Sequence, residues 1–322
     1  MEQSSPRFSK LGFSKSVDLV TTGLGDYLQV LKALFIPLIL ICALLHGADI
    51  ILVLGHGAMD LLPSGLNFLL VGFLTLLSLT LGVYFPYFAI KVMLKDSASG
   101  DSSVSAILSE FSPREAWNIL IIVSMTHIVG LMPLFVPAIV LWLHLIHEAF
   151  LWLALGIFLI YLPIWILILW FLGFSLHHYV FLQVISWQPL RASYLLVKNR
   201  FWCILLLSVG WLILSLALST GFSLLKAMES GLRFLASSPQ EGWMSSFQEI
   251  STILQSGKLN ASTMKELGEK FSFLSAPSMI ALIESMVTTL LSGSLFSFFF
   301  LYLLGHYHRK DWAYPRDLFT EK

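Results

Sequence analysis

Charge is scarce in this sequence. Asp, Glu, Lys and Arg make up only 12% of its 322 residues, and the two signs cancel at 19 each. A soluble domain carries about 25% charged residues, so an ordinary globular surface is excluded. A net charge of zero also supplies no polyelectrolyte attraction to nucleic acid, which is not expected as a partner. Cysteine is nearly absent. Cys42 lies within one apolar run and Cys203 at the start of another, which suits small polarizable core residues better than a disulfide. The first 29 residues lack a compact basic region, a short apolar core and a cleavage site, so the first apolar run is expected to be a retained anchor rather than a removed signal peptide.

What is plentiful is hydrophobicity, at 57% of residues with a mean hydropathy of +0.82. Runs of about 20 apolar residues recur, each long enough to cross a hydrocarbon core of about 30 Å. Backbone groups cannot remain unpaired in lipid, so these runs must be helices. The expected fold is all-α, a polytopic membrane helical bundle with spans near Ala33–Leu54, Leu66–Ile90, Asn118–Ile139, Phe150–Phe174, Phe201–Phe222 and Met279–Leu304. The first span is cleanly apolar only to Leu45, and an alternative start lies near Tyr27 with Lys32 snorkelling outward. Pro37, Pro86, Pro133, Pro137 and Pro163 fall in or beside spans. Pro133 and Pro137, one turn apart, make the third span the prime candidate for a bend.

Basic residues set the expected orientation. Arg7, Lys10, Lys15 and Lys32 precede span 1; Lys91, Lys95 and Arg114 occupy the second loop; Arg191, Lys198 and Arg200 the fourth; Arg309, Lys310, Arg316 and Lys322 the tail. The first and third loops carry none, so both termini and the even loops are expected to be cytoplasmic, in the inner membrane of a bacterium. The resulting division is an amphipathic segment over 1–32, spans 1–5 over 33–222, an outer loop over 223–278, span 6 over 279–304 and a tail over 305–322. The outer loop has three apolar stripes at helical spacing: Leu224, Leu225, Met228, Leu232 and Leu235; Trp243, Phe247, Ile250 and Leu254; and, after a possible Asn260 cap, Met264, Leu267 and Phe271. They read as short amphipathic helices, either a surface insert or a lid. Asn260-Ala-Ser262 also fits a glycosylation pattern, meaningful only in a eukaryotic secretory setting.

The polar residues of the outer side form one notable group. "HGADIILVLGHGAMD" places His46, Asp49, His56 and Asp60 within an arc of about 80° on an ideal helix. Asp49 and His56 would be about 10 Å apart along the axis, too far to share an ion about 2 Å from each ligand. Gly47, Gly55 and Gly57 argue against a straight helix here. The third loop adds His144, His147 and Glu148, in an order that is not His-Glu-x-x-His. Two readings stand: a divalent-cation or proton-linked site built from His46, Asp49, His56, Asp60, His144 and His147, or polar turns at the interface. Within the spans, His127 and Glu284 are the costly ionisable groups and so are functional candidates. "GLGD" over Gly23–Asp26 matches a tetrapeptide of intramembrane aspartyl proteases, but no earlier span supplies a second aspartate for acid–base chemistry. No P-loop, dinucleotide fingerprint or catalytic set is evident, and no cofactor is expected.

The fourth loop, "SWQPLRASYLLVKNRFWCILLL", begins with Ser186 as a helix cap and Pro189 in the first turn. Leu190, Tyr194, Val197 and Phe201 form an apolar stripe, and Arg191, Lys198 and Arg200 supply cationic heads for lipid headgroups, each adding about 1 kcal/mol on anionic lipid. Ala192, Ser193, Leu195, Lys198 and the pair Phe201-Trp202 resemble a segment of the YciC-type family of bacterial six-span inner-membrane proteins. A related membrane domain is fused to some glycerophosphoryl diester phosphodiesterases. "VDLVTTGLGDYLQVLKALFIPLIL" and "SSVSAILSEFSPREAWNIL" are similar to the family's leading helix and its loop before span 3. The resemblance spans most of spans 1 to 5 and implies a six-span inner-membrane architecture. The phosphodiesterase barrel is missing, so that activity is not implied. The expectation is a non-catalytic membrane protein contributing to envelope or membrane homeostasis through contacts with lipids or other membrane proteins. A small-solute or ion transporter is the alternative, and a metal-dependent membrane enzyme the third.

Overall fold

The computed structural model describes residues 10–59, 63–99, 103–143, 149–237, 278–308 and 312–315. Among them there is no strand. The helices are α1 (Phe13–Leu45), α2 (Gly47–Met59), α3 (Ser64–Gly82), α4 (Phe85–Ser99), α5 (Val104–Ser109), α6 (Pro113–Leu131), α7 (Phe135–Leu143), α8 (Ala149–Leu172), α9 (Ser175–Leu182), α10 (Gln188–Asn199), α11 (Phe201–Ser237) and α12 (Met279–Leu303). Five helical runs are long and apolar enough to cross a membrane: Phe13–Leu45, Leu66–Ser97, Leu155–Leu182, Phe201–Leu232 and Met279–Leu303. Their outer faces are large and apolar, as at Ile36, Phe68, Ile160 and Ile213. Such a surface is stable only against lipid, and the chain is an all-α, multi-pass membrane protein.

Several expected boundaries move, each for a local reason. α1 starts at Phe13 rather than Ala33, because Ser16, Val20, Gly23, Tyr27, Leu34, Leu38, Ile41 and Leu45 form one continuous buried stripe and nothing stops the helix at residue 32. It ends at Leu45 rather than Leu54, since Asp49 sits in the first turn of a new helix, where negative charge suits the N-terminal dipole. α2 is helical through Gly55 and Gly57. Their cost of about 1 kcal/mol each is less than that of leaving backbone groups unpaired in an apolar setting. The expected third span is interrupted: α6 stops at Leu131, Met132–Leu134 forms a 3₁₀ turn, and α7 resumes at Phe135. Pro133 has no N–H to continue the ladder, so the bend falls where the proline pair places it.

α11 corrects the division of the outer loop. It runs for 37 residues without a proline, about 55 Å at 1.5 Å per residue, so 223–237 continues span 5 instead of forming a separate amphipathic helix. The stripes at Trp243, Phe247, Ile250 and Leu254 and at Met264, Leu267 and Phe271, with Asn260, lie outside the described residues.

The chain forms two compact units. The first comprises Met1–Leu45, Thr80–Trp211 and Leu290–Lys322, the second His46–Leu79 and Leu212–Thr289. The C-terminal half of α12 is the core of the first unit, with Phe298, Phe299, Phe300 and Leu301 fully buried. Leu34, Leu38 and Ile41 of α1, Phe85 and Ile90 of α4, Ile119 and Ile122 of α6 and Leu196 of α10 complete that core. Two glycines permit close approach to neighbouring side chains. A β-carbon on Gly23 would lie 2.9 Å from the Phe299 ring, and one on Gly293 would lie 2.2 Å from that of Phe85. The "GLGD" glycine is therefore a packing residue. In the second unit, Ala48 and Leu74 are buried among Leu52, Leu70 and Leu77.

Candidate functional site

Two of the long runs are broken within the first unit. The run of α3 and α4 turns at Val83-Tyr84, just before Pro86, and that of α8 and α9 turns at Gly173-Phe174. A broken helix exposes backbone polar groups that must find partners. At the second break, the fully buried Ser193 of α10 supplies them: its Oγ donates to the Phe171 carbonyl at 2.8 Å and accepts from the Phe174 N–H at 3.0 Å. At the first, the Tyr84 hydroxyl donates to the Ala116 carbonyl and Ser297 Oγ donates to the Pro86 carbonyl at 3.3 Å.

Between these breaks lies a cavity of about 290 Å³, lined chiefly by Pro86, Trp170, Phe174, His177, Ile204 and Phe296. Trp170 Nε1 donates to Ser208 Oγ at 2.8 Å on its wall. His177 is buried, its ring edge-on to Phe174 at 5.3 Å, with Nε2 3.3 Å from Ser297 Oγ. His177 Nδ1 is buried without a hydrogen-bond partner. The next residue, His178, is also buried, with Nδ1 2.5 Å from the Tyr314 hydroxyl, whose ring stacks on Phe181. The tail thus folds back to cover the end of α9. Sequence reasoning passes over both histidines, since the fourth apolar run ends at Phe174 and seems complete without them. The histidine doublet beside Gly173, a likely breaker, was the available signal.

The opening polar stretch is partly assembled in the second unit. His46, 5% exposed, donates from Nδ1 to Asp49 Oδ2 at 2.8 Å, and the Ser78 hydroxyl donates to the same carboxylate oxygen at 2.5 Å. His46 Nε2 lies 3.2 Å from Thr289 Oγ1. The order carboxylate, imidazole, hydroxyl is that of a proton relay, and here it also ties α2, α3 and α12 together through side-chain hydrogen bonds. His56 lies on α2, but its side chain is not among those described. Asp60, His144, His147 and Glu148 lie outside the described residues. Among the described residues, no group of three or more His, Cys, Asp or Glu side chains is arranged to hold a metal ion.

The remaining candidates separate. His127 is exposed on α6 rather than enclosed in the bundle, with Nδ1 2.8 Å from the Val123 carbonyl one turn earlier. Isoleucines 119 and 122 take the inward face of that helix instead. Glu284 pairs with Lys226 of α11 at 2.5 Å, and Ser278 bonds Glu229 close by. Neither Lys226 nor Glu229 was singled out from sequence, because a helix was not expected to continue past Phe222. Arg191 and Lys198 are exposed on α10, Lys198 lying 5.8 Å from the Tyr194 ring. Arg200 is half-buried beside Cys203, and burial lowers its pKa. The buried face of α10 is Leu190, Ala192, Ser193, Leu196 and Val197, while Tyr194 and Phe201 are exposed. The expected stripe was therefore rotated by part of a turn. Ser186 does accept a backbone bond, from Gln188 N–H at 3.2 Å, one residue before the helix cap at Trp187. Cys42 and Cys203 are buried free thiols. No protein-family model matches the chain, and no curated protein or solved structure matches it.

Proposed function

We propose that this chain is a non-catalytic integral protein of the bacterial cytoplasmic membrane, with both termini inside, that contributes to membrane or envelope homeostasis through contacts with lipids or other membrane proteins. The observation that supports this reading best is α10. Its apolar face is sealed into the first unit, while Arg191 and Lys198 stand exposed on the other side. A basic, amphipathic helix leading directly into a long apolar one suits the anionic headgroup layer of the cytoplasmic leaflet. The resemblance of this stretch to the YciC-type segment fits the same reading.

The test is lipid retention in nanodiscs of mixed zwitterionic and anionic phospholipid, measured by mass spectrometry of co-purified lipid. Exposed cations near the surface add about 1 kcal/mol each. The Arg191→Gln/Lys198→Gln variant is therefore expected to lose anionic preference at this position by roughly 30-fold, equivalent to about 2 kcal/mol. Retention equal to wild type would remove α10 as the lipid contact. A small-solute transporter is the second reading. It is supported by the helix breaks at 83–84 and 173–174 beside a cavity, since discontinuous helices around a cavity are a common transporter design. Solute flux in proteoliposomes is its direct test.

A further inference from the structure

The lipid-contact reading does not use the cavity, yet the cavity is the best-defined concave site in the first unit. We propose that it binds one neutral, flat, apolar molecule bearing a single hydrogen-bond donor, of the indole or phenol class, with His177 Nδ1 as the acceptor. At about 30 Å³ per water-sized group, its volume of about 290 Å³ admits about ten non-hydrogen atoms. That is too little for a phospholipid tail pair and suits a bicyclic ring. The walls are apolar and largely aromatic, with Trp170, Phe174 and Phe296 offering ring faces and edges. No Asp, Glu, Lys or Arg lines the cavity, so neither an anion nor a cation would find a counter-charge.

The hydrogen-bond inventory fixes the polarity of the ligand. Ser297 has one proton, and its contact with the Pro86 carbonyl requires that proton, because a carbonyl only accepts. Ser297 Oγ is therefore an acceptor toward His177 Nε2, which carries the imidazole proton. A neutral imidazole has one N–H, so Nδ1 is left as a bare lone pair. It is buried on a residue that is 4% exposed, and it has no partner. The Trp170 N–H, the other strong donor on the wall, is already engaged by Ser208. A buried acceptor left unmet is costly, and a ligand N–H or O–H would meet it. Gly293 helps to define this shape, since any β-carbon there would collide with the Phe85 ring.

Indole and indene isolate the donor, for they differ chiefly in the ring N–H. Binding of each to the purified full-length protein in detergent is measured by equilibrium dialysis against protein-free micelles at the same detergent concentration. The expected result is saturable, one-to-one retention of indole, with indene held about tenfold more weakly, the scale of one buried hydrogen bond. The His177→Phe variant, checked for its unfolding midpoint, should hold indole no better than indene. Equal retention of the two by wild type, or retention of neither, overturns the proposal. Because that comparison needs no substitution, it decides the matter even if His177→Phe does not fold.

Discussion

Ser193 offers the sharpest test of how the broken helices are held. Its side chain is fully buried and makes two bonds to backbone on either side of the α8–α9 break, donating to Phe171 and accepting from Phe174. Ser193→Ala removes both at once and leaves a carbonyl and an N–H unmet in an apolar interior. Each unmet buried group costs about 1–3 kcal/mol, so the variant is expected to lose about 2–5 kcal/mol. Against a total stability of about 5–15 kcal/mol, that is a large fraction. The assay is reversible unfolding in mixed micelles, with SDS as denaturant and circular dichroism as readout, accompanied by hydrogen exchange over residues 170–182. Protection of the Phe174 amide should fall first. Ser215, whose hydroxyl bonds only its own helix at Leu212, is the control, and Ser215→Ala should stay within about 0.5 kcal/mol of wild type. A Ser193→Ala variant equally close to wild type would refute the view that this hydroxyl holds the break.

Two glycines of one tetrapeptide should respond oppositely. Gly23→Ala places a methyl 2.9 Å from the Phe299 ring and should destabilise by about 1–3 kcal/mol, whereas Gly25→Ala meets open space within α1 and should stabilise by about 0.5–1 kcal/mol; both are read from the same unfolding curves. His306 gives a pH dependence. Burial holds its imidazole below the usual range of about 6.5, so the folded protein resists the proton that the unfolded chain accepts. Its stabilising contribution is thus complete above the unfolded pKa and declines as pH falls below about 6.5 toward the folded value. His306→Gln should flatten that acid limb in unfolding midpoints recorded between pH 7 and 5. The Lys226–Glu284 pair is half-buried on the lysine side and more buried on the glutamate side. A double-mutant cycle with Lys226→Met and Glu284→Gln should show a coupling of about 1–2 kcal/mol, and additive effects would show that the contact contributes nothing.

Fold class was legible because hydropathy sums over a window, and a window of about 20 residues registers a span whether or not the helix inside it is continuous. The same averaging hid the interruptions. Val83-Tyr84 and Gly173-Phe174 sit in unbroken apolar text, and only Pro86 hinted at the first. The proline pair at 133 and 137 was a stronger signal, and it did place the turn at Met132–Leu134. Helix ends were misjudged wherever a buried stripe or the absence of proline carried a helix beyond its apolar run, as at Phe13 and Ser237. Glu284 could be recognised as costly, but its partner Lys226 could not, since the two are 58 residues apart and the pairing depends on packing. On α10 the period was readable, but the phase was not. Small Ala192 and Ser193 form the most buried part of the face, and hydrophobicity ranks them below Tyr194.

Polar residues inside a membrane bundle have two employments, and hydrogen-bond accounting separates them. Ser193, Tyr84 and Ser297 each bond backbone beside an interrupted helix, so their presence follows from the breaks alone. His46 and Asp49 likewise find Ser78 and Thr289 on neighbouring helices, which gives that pair a structural role before any chemical one. His127 bonds its own helix. His177 differs, because one ring nitrogen completes the Ser297 contact while the other is buried on a cavity wall with no partner. A phenylalanine would have filled the same volume without an unmet acceptor. Retaining an imidazole at that position is intelligible if something outside the chain meets its second nitrogen, and that selects the cavity over the more heavily charged outer stretch as the place to look for a ligand.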